Sequence, residues 1–232
     1  MTDEPVLAMA EVTCRFADGG RAVTALDRVD LTVGAGEMVA VMGPSGSGKS
    51  TLVHVACGLV TPTGGAVTVL GRAPEPRRAR RWWADMRRRH IGVVHQRLNL
   101  VPGMDALANV ALPLRLAGTG ERRAREAARA ALAEAGVAEA APVRAERLSV
   151  GEQQRVALAR AIVGDRRLVL ADEATAALDT VGAEAIAGTL ADLARAGRAV
   201  LLVTHDSRLA SWADRAVILR DGCVVDRVGA AT

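Results

Sequence analysis

Tyrosine is missing from this 232-residue chain, and phenylalanine occurs once, as Phe16. With aromatics at 2% and hydrophobic residues at 50%, a core has to be built from Ala, Val and Leu. Cysteine is sparse too: Cys14, Cys57 and Cys223 lie far apart and show no C-x-x-C spacing. That excludes a disulfide framework and a zinc site, and favours small buried thiols in a reducing compartment. Apolar runs such as "AVLLV" fall far short of the ~20 residues a membrane span needs. The acidic start "MTDEPVLAMAEV" lacks the arginine-flanked apolar run of a signal peptide. The expectation is a chain soluble on its own, long enough for one good-sized domain with two lobes.

Lysine is nearly absent as well. Of 30 Lys and Arg residues a single one is lysine, Lys49. The formal net charge is +4, and much of it sits in "RRARRWWADMRRRH", Arg77 to His90. That run predicts a solvated helical face with Trp82 and Trp83 partly packed beneath it. A patch facing anionic lipid headgroups is the second reading. Nucleic-acid binding lacks the interleaved aromatic platform it would need, so no nucleic-acid partner is expected.

The first third of the chain reads as strands and turns, "PVLAMAEVTCRF", "AVTALDRVDLTV" and the buried run "MVAVMG". "KSTLVHVACGLV" has helical length and spacing, and "AVTVLGR" after it looks hairpin-like. From Met104 to Ala141 the pattern turns helical, "ERRAREAARAALAEAGV" most clearly. The remainder alternates helix and strand and ends in a hairpin turning at Asp221-Gly222. Apolar strands alternating with helices predict an α/β fold around a largely parallel sheet, with an inserted helical lobe.

Gly43 to Ser50, "GPSGSGKS", fits the P-loop pattern at every fixed position, follows a strand and opens a helix. Gly43, Gly46 and Gly48 free the backbone to turn its N–H groups inward around a phosphate. The helix that follows aims its positive end at the same anion. A compact ammonium reaches between β- and γ-phosphates where a planar guanidinium is too broad. This is why lysine persists here in an arginine-rich chain. Pro44, Ser45, Ser47 and Thr51 complete the loop, and Ser50 offers a hydroxyl to Mg²⁺.

Other strand ends carry polar groups. "RLVLADEAT" ends in Asp172-Glu173, "LLVTHD" in Thr204-His205-Asp206, and "VVHQ" in Gln96. Singly each is common, and a structural role is the ordinary reading. "LSVGEQQRVALARA", Leu148 to Ala161, taken alone is an amphipathic helix behind a Ser N-cap. Together, Lys49, Gln96, Ser149-Val150-Gly151, Asp172-Glu173, Asp179 and His205 arrive in an order that resembles the ATP-binding-cassette (ABC) ATPases over essentially the whole chain.

The resemblance implies a P-loop NTPase core with a mostly parallel sheet, an N-terminal antiparallel β subdomain and an inserted α-helical subdomain. Residues 1–96 and 155–232 would form the core and 97–154 the helical part, all in a single ABC domain spanning 1–232. It implies an ATPase using ATP and Mg²⁺, in which two copies pair head to tail. Residues 43–51 would bind the triphosphate, Phe16 would stack on adenine or, as the single Phe, belong to the core, and Ser149 and Gly151 of the other copy would contact the γ-phosphate. Ser50, Gln96 and Asp172 would serve the metal. Gln96 would also sense the attacking water, as part of the catalytic set with Glu173, which would polarise water, and His205, which would hold the γ-phosphate. Asp179 would bridge the copies. Val150 stands where Gly is usual, Ala174 where Pro is usual, Ala176 where Gly or Ser is usual, and His95 at an often aromatic position.

Within that family the wording of residues 36–65 and 95–118 is similar to lipoprotein-releasing, macrolide-exporting and antimicrobial-peptide-exporting ATPases. This implies membrane permease subunits as partners, export or extraction of a substrate, and a peripheral position on the cytoplasmic face of a bacterial membrane. The alternative is a cell-division-like ATPase that passes force to a non-transporting membrane partner.

Overall fold

The computed structural model describes residues 4–18, 21–175 and 178–229. Ala176, one of the departures named above, lies outside them. Two long strands, β1 (Leu7–Asp18) and β2 (Arg21–Val33), pair antiparallel. Then come β3 (Met38–Met42), α1 (Lys49–Ala56), β4 (Gly64–Val69), α2 (Ala79–Arg89) and β5 (Ile91–Val94). The helical stretch is α3 (Ala106–Leu116), α4 (Glu121–Glu134) and α5 (Val150–Ile162). The chain closes with β6 (Leu168–Asp172), α6 (Thr180–Arg195), β7 (Ala199–Val203), α7 (Ser207–Ala210), β8 (Arg215–Arg220) and β9 (Cys223–Gly229).

The main sheet has the order β5-β6-β7-β3-β8-β9 and is parallel up to β8, with β9 antiparallel at its edge. β6 and β7 are buried at every position, as strands covered on both faces must be. Alternation divides their side chains between two cores. Val169, Ala171, Val200 and Leu202 face the helical side with α3 to α6. Leu168, Leu170, Leu201 and Val203 face α1 and the antiparallel sheet β2-β1-β4. The ring-poor core expected from composition is what packs here. In α4, Ala124, Ala128 and Ala131 form a buried stripe that lets α3 come close.

Asp221 and Gly222 take φ of 51° and 78°, the two left-handed residues a tight β8–β9 turn needs. Two local expectations change. Helix α1 stops at Ala56 although the apolar pattern runs on to Val60. Gly58 adopts a φ of 66°, and a Cβ there would lie 1.9 Å from Trp83 Cδ2. The segment read as hairpin-like is the third strand of the antiparallel sheet, paired with β1. Only Leu70-Gly71 folds back, Val69 bridging Arg72.

Candidate functional site

The C-terminal ends of β3, β6 and β7 gather the polar residues, as expected where a parallel sheet changes direction. β3 runs into the loop 43–48, where Gly43, Gly46 and Gly48 have φ of 156°, 80° and 103°. A Cβ on Gly48 would approach Ala25 O to 2.2 Å, whereas at Gly46 it would meet nothing within 4 Å. The first glycine is needed for packing against β2, and the second leaves the mouth of the loop open. Lys49 is buried, its Nζ donating to Gly43 O at 2.8 Å and Pro44 O at 2.7 Å. Ser47 is buried with its Oγ unpartnered among the described residues. A loop with a buried ammonium at its floor and a spare buried hydroxyl suits an anion.

A cavity of about 250 Å³ opens here, lined by Ala25, Ser45, Gly46, Gly48, Lys49, Ser50, Thr51, Gln96 and Glu173. Asp172 lies beneath it, 3% exposed, accepting from Ser50 Oγ at 3.3 Å. Burial pushes its carboxyl above the usual range, with the Ser50 hydrogen bond partly opposing. A buried carboxylate whose one hydrogen-bond partner among the described residues is a hydroxyl suits a divalent cation.

Glu173 is held at a left-handed φ of 48° with its N–H on Val203 O at 3.0 Å. Such backbone costs a non-glycine residue on the order of 1–3 kcal/mol and clusters at functional sites. Its Oε2 is 3.3 Å from Nδ1 of the exposed His205. A second cavity of about 170 Å³ lies on that side, reaching Thr175, Leu178 and Arg208, so Glu173 borders both. His95 does not line this cavity; its ring lies beside His54, centroids 6.2 Å apart, and burial lowers its pKa. Ala174 is buried, filling its turn without a ring.

The remaining predicted residues stand elsewhere. Ser149 caps α5 in a reciprocal capping box, its hydroxyl 2.7 Å from Glu152 Oε2 and its N–H donating there at 2.8 Å. A Cβ on Gly151 would sit 3.5 Å from Leu178 Cδ2, so the start of α5 adjoins the loop leading to Asp179, which caps α6 through Gly182 N–H at 2.8 Å. Ser149, Gly151 and Asp179 line neither cavity. Val150 beside them is 51% exposed. Phe16 is 41% exposed opposite Val23 and does not line the loop cavity.

Two positioning residues escaped the sequence reading. Arg160 on α5 donates to Leu98 O and, at 2.7 Å, to Asn99 O, gripping the segment behind Gln96. Fully buried Asn109 accepts from Val101 N–H at 2.7 Å and holds the next turn. Arg160 lies inside the stretch "VALARA", but nothing in its local pattern names its partner.

A family model described as "ABC transporter" matches residues 26–176. Among curated relatives, the macrolide export ATP-binding/permease protein MacB of Burkholderia cenocepacia is 41% identical over 96% of this chain and 32% of its own length. The probable syringafactin export ATP-binding/permease protein SyfD of Pseudomonas syringae is 41% identical over 96% and 34%. The chain thus spans about a third of the curated relatives it matches. The solved dimeric bacterial ABC transporter cassette MJ0796 superposes with a TM-score of 0.87 at 35% identity, covering 96% of this chain and 98% of that one. Its post-hydrolysis dimer bound to ADP and Pi gives 0.88 at the same identity and coverage. With the P-loop, the paired acids and the signature helix all placed on this fold, the chain belongs to the ABC transporter family as an ABC ATPase domain.

Proposed function

We propose that two copies of this chain close head to tail over two ATP molecules and hydrolyse them, and that closure energises export through membrane permease partners. One observation carries this reading. A single copy assembles half a site: residues 43–51, Gln96, Asp172, Glu173 and His205 converge, while Ser149, Gly151 and Asp179 cluster apart and line neither cavity. A second copy supplies the missing half. The named relatives, both exporters, support the transport reading over force transmission to a non-transporting partner.

In this scheme Lys49 leaves the Gly43 and Pro44 carbonyls for the β- and γ-phosphates, and the loop amides wrap them. Phe16, exposed at its strand position, stacks on adenine. Ser50, Gln96 and Asp172 hold Mg²⁺, which when bound neutralises phosphate charge. Glu173 takes a proton from the attacking water. His205 turns Nδ1 to Glu173, which leaves Nε2 for the γ-phosphate. From the other copy, Ser149 exchanges its Glu152 hydrogen bond for the γ-phosphate, Gly151 presents its N–H, and Asp179 bridges the seam. Residues 97–154 act as the helical subdomain against a core of 1–96 and 155–232. The permease places the assembly peripherally on the cytoplasmic face of a bacterial membrane.

The test is Glu173→Gln. ATP binding stays, while hydrolysis slows about 10²–10⁴-fold, the ordinary contribution of a positioned general base. Near-normal turnover in single-turnover assays sinks the assignment.

A further inference from the structure

We propose that α2 and its approach form a docking surface for an anionic lipid bilayer. Residues 72–90 hold eight arginines against Glu75 and Asp85, a net +6, while the whole chain is +4. The other 213 residues therefore sum to −2, and the basic excess of this protein is a local feature.

The charge is also unneutralised. Among the described residues, Arg88 pairs with Asp85 at 3.1 Å, whereas Arg72, Arg77, Arg78, Arg80, Arg81 and Arg89 form no ion pair. All six are exposed. Arg87 alone turns inward, donating to Cys57 O at 2.9 Å and Gly58 O at 3.1 Å. Trp82, Trp83 and buried Met86 fix the opposite face of the helix onto the second core. The arginine face is thus held outward on a rigid element.

Its position is remote from the phosphate loop. α1 starts at the phosphate loop and ends at the carbonyl groups Arg87 grips, eight residues or about 12 Å away. The basic face therefore lies beyond the far end of α1 from the phosphate loop. None of its residues lines either of the two cavities at the phosphate-loop site. Base readout is poorly served. Both tryptophan rings are turned into the protein, in edge contact at 4.8 Å, and residues 72–90 contain no Asn or Gln. A plane of lipid phosphates needs only dispersed cations, and each arginine near an anionic surface is worth about a fivefold gain in partitioning.

Flotation of the chain with phosphatidylglycerol–phosphatidylcholine vesicles, without nucleotide, tests this. Binding is expected at low salt, is lost as NaCl rises, and is absent on phosphatidylcholine alone. R77Q/R78Q/R80Q/R81Q removes exposed side chains without hydrogen bonds, so its circular dichroism and vesicle-free ATPase rate should match the parent's. Its partitioning should fall at least about tenfold. The control R122Q/R123Q/R129Q on α4 should bind like the parent. Equal loss in the control, retention in the α2 variant, salt-insensitive binding, or displacement from vesicles by equimolar duplex DNA each overturns the proposal. Because the flotation is run without nucleotide, its outcomes are independent of the hydrolytic reading.

Discussion

In the proposed site Asp172 would have to ionise at 3% exposure, with one hydroxyl hydrogen-bonded to it. Burial raises its carboxyl pKa above that of the unfolded chain. Between the two values the unfolded state sheds its proton first. Folding stability of the nucleotide-free protein therefore falls as pH rises through this window, from about pH 4 upward, and stays lower above it. Asp172→Asn removes that cost, since an amide oxygen can still accept from Ser50. The variant should melt above the parent at pH 7, the gap closing below about pH 4, and should lose metal-dependent hydrolysis. Calorimetry across that range decides it, and an equal or lower midpoint for Asn at pH 7 would refute the account. The site is held ready at the expense of the fold, a common trade at functional positions.

At the scale of elements, α5 acts as a bar joining two parts of the site. Its first turn carries Ser149 and Gly151, and three turns later Arg160 grips Leu98 and Asn99 behind Gln96. A Cβ on Gly92 of β5 would lie 1.8 Å from Ala161 O, so strand and helix touch backbone to backbone. These contacts tie α5 to the strand before Gln96 and to the segment after it. Arg160→Met should keep the fold, lower kcat for ATP on the order of 10–100-fold through misplacement, and change KM little. Hydrogen exchange of residues 97–100 should quicken. Unchanged kcat with unchanged exchange sinks this role. Such couplings were illegible beforehand because Arg160 and Leu98 are 62 residues apart and meet only through packing. The phosphate loop was legible because glycine geometry and lysine chemistry are local, and α4 because its alanine period repeats. The end of α1 was misjudged for the opposite reason: Trp83, distant in sequence, occupies the space a longer helix would need.

For the whole molecule, the proposed site is incomplete in a single copy. The starts of α5 and α6 expose Val150 at 51% and Val181 at 76%, apolar groups beside Ser149, Gly151 and Asp179 that one copy leaves in water. A lasting contact needs roughly 1,000 Å² of buried surface, which these few residues cannot reach without bound nucleotide completing the seam. The parent without nucleotide should therefore sediment as a monomer. Glu173→Gln, which binds ATP without consuming it, should double in mass on excess ATP and magnesium and revert when nucleotide is removed. Adding Val150→Glu should leave ATP binding intact yet block the doubling, since a carboxylate would face the γ-phosphate across the seam at a site built for an anion. A Glu173→Gln protein that remains monomeric on saturating ATP would remove the shared-site reading, because no single copy brings Ser149 to its own phosphate loop.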